Sequence, residues 1–354
     1  DQDPQVAVYG VGSRRMREAG VTMLADAAEI SVVGATEVLT HLVPIYRVYA
    51  ALKRFLRDER PDLLVLIDFP DFNILVGKAA KRLGIPVLYY ISPQVWAWRR
   101  GRARKIARLV RAILVLFPFE VEIYRRVGAD ARFVGHPLSD SVRSELTQQQ
   151  ARSALGLAPD QRTVALLPGS RRKEIENLLP DMLAAAAILK ERFADLQFVL
   201  PLAPTLDPAL VRGIVDASGV PVTVVDGRVY DVLRTADAAV VTSGTATLET
   251  GLMAVPMVIV YRISQLSYLI GRMIINVKHI GLVNIVAGKG VAPELIQDAV
   301  TPERIAAELG PVLADPARHR AAVSDLEQVR ALLGEGGASR KAAAAVREVL
   351  AEKG

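Results

Sequence analysis

The sequence predicts an α/β protein made of two doubly wound parallel-sheet units, and three observations carry that expectation. Apolar runs rich in Val, Ile and Leu recur along the 354 residues, each about as long as a strand. Amphipathic stretches of roughly 10–20 residues separate them. A polar stretch at 139–160 then interrupts the pattern near the middle. Strands that are apolar throughout, alternating with helices, mean sheets covered on both faces rather than a sandwich.

The expected strands are 6–9, 63–67, 87–91, 112–116, 164–167, 198–201, 222–225, 238–241 and 257–261. Helix-like segments lie among them at 74–83, 175–193 and 246–254. These give a first unit over 1–150, a second over 151–320 and closing helices over 321–354. Strands are expected to stop after about Ala292, and the segment 340–353 reads as an ordinary surface helix.

Composition narrows the partners. Hydrophobic residues at 51% and charged residues at 23% suit a globular chain. No apolar run reaches the roughly 18–20 residues that cross a bilayer. The absence of cysteine removes disulfides, thiolate nucleophiles and zinc–thiolate sites, and fits a reducing compartment. The four histidines, His41, His136, His279 and His319, lack metal-ligand spacing, and no DxD pair marks a metal-dependent sugar-nucleotide site. A net charge of +6 favours an anionic partner. Nucleic acid is disfavoured, because no reader motif or stacking platform is present. No secretory signal is visible, and the opening at Asp1 reads as a start inside a longer gene product.

Ligands of open parallel sheets sit beyond the carboxyl ends of the strands, so strand-to-helix turns are the places to search. Leu166-Leu-Pro-Gly-Ser-Arg171 is one. Gly169 permits close backbone approach, Ser170 and the helix start offer N–H groups to an anion, and Arg171 can grip phosphate oxygens. Its bland reading is a tight turn with a surface arginine. Ser243-Gly-Thr-Ala-Thr-Leu-Glu249 is a second small-residue turn. Ser243, Gly244 and Thr245 form its anion nest, and Glu249, about one turn into the helix, suits the ribose hydroxyls. Two such turns in one half suggest a nucleotide diphosphate-sugar site. Further on, Pro293 suits the first turn of a helix. Asn284, Glu294 and Gln297 read equally as nucleotide contacts or as a loop amide and exposed helix residues.

In the first half, Asp68 sits at a strand end where a general base would face the cleft between the units. Asp71 and Asn73 read as helix N-caps. Trp96 and Trp98 precede a basic run in which Arg100, Arg104, Arg108 and Arg111 fall on one helical face. A charge run is usually a solvated face. The flanking tryptophans add an anionic, partly apolar acceptor as a reading. His136 lies beside the expected boundary, facing the cleft or serving structure. The greasy segment 30–46, with Val32, Val33 and Leu39, is either an exposed apolar finger or a buried helix, and the residues alone favour the latter.

Six collinear motifs resemble the lipid-A-disaccharide synthase family. They are Ile67-Asp-Phe-Pro-Asp-Phe-Asn73, Ser92-Pro-Gln-Val-Trp-Ala-Trp98, Phe133-Val-Gly-His-Pro-Leu138, Leu166-Leu-Pro-Gly-Ser-Arg171, Ser243-Gly-Thr-Ala-Thr-Leu-Glu249 and Asn284-Ile-Val-Ala-Gly288. The resemblance implies a GT-B fold, two Rossmann-like domains facing a cleft, and an inverting glycosyl transfer without a cofactor. The donor is UDP-2,3-diacylglucosamine and the acceptor 2,3-diacylglucosamine 1-phosphate (lipid X); the products are the β-1,6 disaccharide 1-phosphate of lipid A and UDP. It further implies that Asp68 and Arg171 are needed for activity. The segment 30–46 becomes a membrane-contacting patch, reversing the preference above. The protein is then peripheral on the cytoplasmic face of the inner membrane of a Gram-negative bacterium. The family opens with a strand and a Gly-Glu-x-Ser-Gly-Asp loop that this sequence lacks, which leads us to expect about 30 further N-terminal residues, one βα unit.

On this reading Asp68 takes the proton of the acceptor's 6-hydroxyl. Arg171 and two helix N-termini stabilise departing UDP, with no divalent metal required. The alternatives are another UDP-GlcNAc-using GT-B enzyme (the peptidoglycan GlcNAc transferase or a 2-epimerase), or a non-catalytic nucleotide-sugar binding module. Oligomeric state is not legible.

Overall fold

A computed structural model describes residues 6–27, 38–96, 101–264, 268 and 278–352. Every strand pairing among them is parallel. A two-stranded piece, β1 (Tyr9–Gly12) with β2 (Thr22–Asp26), accompanies a four-stranded sheet. That sheet has the order β3 (Leu64–Ile67), β4 (Val87–Tyr90), β5 (Ala112–Val115), β6 (Ala131–Phe133). The other sheet contains β7 (Arg162–Leu167), β8 (Leu196–Leu202), β9 (Val222–Asp226), β10 (Ala238–Thr242), β11 (Met257–Tyr261) and β12 (Glu294–Ile296). Its order is β12-β11-β10-β7-β8-β9. Strand order therefore reverses between β7 and β10, the switch point where open parallel sheets leave a crevice.

Both faces of the six-stranded sheet are buried. Val164, Leu166, Val240 and Val260 pack with the helices Arg172–Arg192 and Pro302–Ala314 on one side. Ala165, Leu167, Val241 and Ile259 pack with Thr245–Leu252 and Pro316–Leu332 on the other. This double burial is why these strands show no polar alternation.

The four-stranded sheet buries Leu66, Tyr89 and Ile113 against the helices Val38–Asp58 and Pro70–Arg82. Its opposite face is covered from the far end of the chain. Leu88, Leu114 and Val134 pack against Ala342, Ala345 and Val349 of the helix Ala338–Ala351. Arg132–Glu348 at 2.6 Å and Arg111–Glu352 at 2.5 Å flank that contact. The segment expected as an ordinary surface helix thus completes the core of the first sheet.

Several expected bounds need correction. The strand expected at 6–9 lies at Tyr9–Gly12. β2, β6 and β12 were not anticipated: β2 is half-buried and mixed in polarity, while β6 and β12 are three residues each, too short to show a pattern. Strands do not stop at Ala292, because Glu294 pairs with Ile259 of β11. Pro293 therefore precedes a strand, not a helix. Its carbonyl accepts the Ile259 N–H at 2.8 Å, a pairing that needs no N–H from proline.

Candidate active site

β7 and β10 are neighbours with Leu167 opposite Val241, so the two suspected phosphate turns leave the sheet side by side. At the first, Gly169 has φ +115° and sits against Glu174; a Cβ there would lie 2.3 Å from Glu174 Oε2. The same oxygen accepts the N–H groups of Ser170 and Arg171 at 2.9 and 3.2 Å. Glu174 Oε1 accepts from Arg171 Nη1 at 2.9 Å. The expectation that the Ser170 and Arg171 amides await a ligand is therefore corrected: the carboxylate three residues on already occupies them. Arg171 itself is exposed, with most of its side chain in solvent. Tyr261, ending β11, has its phenol pushed up by burial; Glu174 pushes the same way and Arg171 opposes it. A third strand end thus reaches this turn.

At the second turn, Ser243 donates its N–H to Val260 O at 2.9 Å and its hydroxyl to Ile280 O at 3.0 Å. What remains for an anion is Gly244, at φ +152°, with Thr245 and the start of the helix Thr245–Leu252, whose first N–H groups have no intrahelical acceptor. Glu249 is half-buried one turn in, as expected, and accepts the Tyr230 hydroxyl at 2.9 Å. Burial, then that bond, pushes the Tyr230 phenol up to about 12.

Asn284, Glu294 and Gln297 form no open ligand group. Asn284 is fully buried and all its amide functions are engaged. Its Oδ1 accepts Val291 N and Ala292 N at 2.8 and 2.9 Å, and its Nδ2 donates to Ala292 O and Glu294 Oε1, both at 2.8 Å. Glu294 also accepts Ile280 N and Gly281 N, both at 3.0 Å. Gln297, read equally as a nucleotide contact or an exposed helix residue, is buried at φ +54° and brackets the backbone of Ile263 from both sides. Asn284 and Glu294 brace the loop beside Ser243, and Gln297 the chain just past β11.

In the first sheet, Asp68 is exposed at the end of β3 with φ +46°, and Phe69 follows at φ +40°. Non-glycine residues in this region are uncommon and need external support. The support is visible. Asp68 N donates to Tyr90 O at 3.3 Å, while Asp68 O accepts the Tyr89 hydroxyl and Asn73 Nδ2, each at 2.7 Å. Tyr89 is buried, and its phenol is pushed up chiefly by desolvation and further by the Asp68 charge. Asn73 is therefore no N-cap, because the helix begins earlier, at Pro70. Asp71, in the first turn of that helix, pairs with Arg102 at 2.5 Å.

Trp96 is half-buried, its Nε1 donating to Glu120 Oε1 at 3.0 Å. Arg104 is exposed on the helix Gly101–Ala107, and Arg111 lies past that helix, its N–H donating to Val87 O. Trp98, Arg100, Val32 and Val33 lie outside the described residues, as does the side chain of Leu39. Within the described part of the greasy segment, Val43 is 59% and Tyr46 69% exposed. His136 is buried against Phe117, ring centroids 5.4 Å apart, and its Nδ1 accepts Leu138 N at 3.1 Å. Burial pushes its imidazole down to about 4, so it is neutral at neutral pH.

Residues at the carboxyl ends of β4 and β5 join the apolar cluster on one face of the second sheet. Leu116 and Phe117, just past β5, share one apolar cluster with Val232 and Leu248, and Tyr90 and Ile91 pack against it. Ser144 Oγ, in the stretch that connects the units, donates to Asp231 at 2.6 Å. Asp68 is thus one hydrogen bond from Tyr90, and Leu248 adjoins Glu249. Sequence reasoning missed Tyr89, Glu120 and Tyr230, which act through tertiary contacts, and gave Asn73 a capping role instead of its bonds to the Ile67 and Asp68 carbonyls. It also missed Glu174, although a glutamate three residues after Arg171 has the spacing of a capping box.

The sequence profile described as Lipid-A-disaccharide synthetase matches residues 1–349. Lipid-A-disaccharide synthase of Geobacter metallireducens is 51% identical over 99% of this chain and 91% of that protein. The same enzyme of Geobacter sulfurreducens is 50% identical over 99% of this chain and 91% of its own length. Among solved structures, CalG4, the calicheamicin glycosyltransferase, aligns with a TM-score of 0.61 at 18% identity, covering 98% of this chain and 91% of that one. That likeness speaks to the fold, which is GT-B. Identity near one half over almost the full length speaks to more: the chain belongs to the lipid-A-disaccharide synthase family of glycosyltransferases.

Proposed function

We propose that Asp68 is the general base, and Arg171 the principal stabiliser of the leaving group, in transfer of 2,3-diacylglucosamine from UDP to the 6-hydroxyl of 2,3-diacylglucosamine 1-phosphate. The hydroxyl oxygen forms the new bond to the anomeric carbon as the bond from that carbon to the β-phosphate oxygen breaks. The hydroxyl proton passes to Asp68, and the electron pair leaves with UDP. The observation that carries this reading is an exposed carboxylate held at a left-handed strand end, one backbone hydrogen bond from Tyr90, which packs against the apolar cluster that contains Leu248. UDP then lies over the β7–β10 switch point, its phosphates near Gly169, Ser170, Arg171, Gly244 and Thr245 and its ribose near Glu249.

In this assignment residues 1–150 serve the acceptor, 151–320 the donor, and the closing helices tie the two. Exposed Val43, Tyr46, Phe69 and Leu75, with Arg104 nearby in sequence to Trp96, suit an anionic lipid surface. The protein then works as a peripheral enzyme on the cytoplasmic face of the inner membrane.

The test offers the protein both acylated glucosamines and detects disaccharide by thin-layer chromatography. Disaccharide from acylated but not unacylated UDP-GlcNAc is the expected result. Equal use of the unacylated donor would overturn the substrate assignment, and UDP binding without disaccharide would leave only a binding module.

A further inference from the structure

Glu120, in the helix Pro118–Arg125, is 3% exposed, and its two carboxylate oxygens do different things. Oε2 accepts Leu116 N and Phe117 N at 3.2 and 3.1 Å, which closes the start of its own helix. Oε1 reaches out of the helix to the Trp96 indole at 3.0 Å. A cap needs only the first of these, and burying a carboxyl is costly when a smaller polar group would serve.

The turn that Trp96 ends is itself under constraint. Ile91 has φ +57°, an outlier for a β-branched side chain, and its N–H donates to Leu114 O at 3.2 Å. The Ser92 hydroxyl is buried beside that of Tyr124. The hydroxyl of Tyr124, on the same helix as Glu120, donates to Pro93 O at 3.4 Å, and Val95 is buried in the first core. Backbone held in such a region persists only where its surroundings over-determine it. Glu120 and Tyr124 supply that from one helix. The far side of the contact is aromatic: Trp96 meets Phe119 edge-on at 5.5 Å, and Phe119 stacks on Phe117 at 5.5 Å. Phe117 belongs to the cluster that joins the two sheets.

We propose that Glu120 is a positioning residue for the transfer reaction, fixing the 91–96 turn through Trp96 and thereby shaping the acceptor's side of the site. This rests on the reading above that the Trp96 turn serves the acceptor. Burial pushes the Glu120 carboxyl up to about 7, so its proton is gained or lost near neutrality. The titratable groups around it are Tyr124 on its own helix and, beyond the Phe117 ring, His136, which is neutral there.

The experiment has a spectroscopic and a kinetic arm. In a Trp98→Phe background the emission reports Trp96 and needs no turnover. It should titrate with a midpoint near pH 7, and Glu120→Gln should abolish that transition. Kinetically, Glu120→Gln should raise the acceptor KM roughly tenfold with UDP affinity unchanged, as loss of a hydrogen bond to a charged group predicts. Trp96→Phe should do the same, and the double variant should be no worse than Trp96→Phe alone. Additive effects, or a Glu120→Gln protein that melts lower with its acceptor KM unmoved, would overturn the proposal and leave Glu120 a helix cap. Failure of the functional reading shows separately, as absence of disaccharide from the unaltered protein.

Discussion

Glu174 sits inside the turn that Arg171 closes, its carboxylate taking both the Arg171 N–H and the Arg171 guanidinium at 3.2 and 2.9 Å. The nest is thus preorganised by an internal anion. The exposed guanidinium keeps further donors for phosphate, since it presents five N–H bonds in all. Gly169 makes the approach possible, because any Cβ would collide with that carboxylate.

Two substitutions at this turn should separate shape from charge. Gly169→Ala forces a side chain into a left-handed, occupied position, and should cost about 1–3 kcal/mol of stability together with activity. Arg171→Ala removes an exposed side chain and should leave the melting temperature nearly unchanged. Its kcat should fall roughly 10²–10³-fold if the guanidinium stabilises departing UDP. Calorimetry beside initial rates reads both.

Asp68→Asn keeps the size of the side chain and the backbone contacts to Tyr89, Tyr90 and Asn73 while removing the base. Turnover should be abolished with UDP affinity unchanged, measured by titration calorimetry. Near-normal turnover would show that another group takes the proton.

Asn284→Ala should be among the most damaging changes to stability. It strips partners from Val291 N, Ala292 N and Ala292 O, around a side chain that is itself fully buried. Unsatisfied buried groups cost about 1–3 kcal/mol each, so loss of more than about 3 kcal/mol is expected in denaturant unfolding. Retention of wild-type stability would show that the loop finds other partners.

His136 predicts a pH dependence with a definite sign. Its folded pKa of about 4 lies below the unfolded value of about 6.5, so the unfolded chain binds the proton more readily. Stability is full above about pH 6.5, falls as pH drops through that value, and stops falling on this account below about 4. The span corresponds to about 3 kcal/mol. Thermal melts of the unaltered protein and of His136→Asn across that window should differ in slope, the variant losing this component.

Much of the frame was legible because parallel strands buried on both faces are written as unbroken apolar runs. Val164–Leu167 and Ala238–Val241 announced themselves in that way, and so did the glycine-bearing turns after them. β12 did not, since three residues show no period and the proline before them invites a helix. The N-cap reading of Asn73 failed for a related reason. Its side chain bonds to carbonyls five and six residues back, an arrangement that depends on how Phe69 turns.

The sequence by itself determined the alternation of strand and helix, the placing of Asp68 and Arg171 at strand ends, and the family. Those follow from local patterning and from motifs that need no neighbour to be read. Tertiary structure alone decided that Tyr89 holds the Asp68 carbonyl, that Asn284 braces a loop, and that the last helix covers the first sheet. These depend on which side chains are brought within a few ångströms, and separation along the chain carries no record of that.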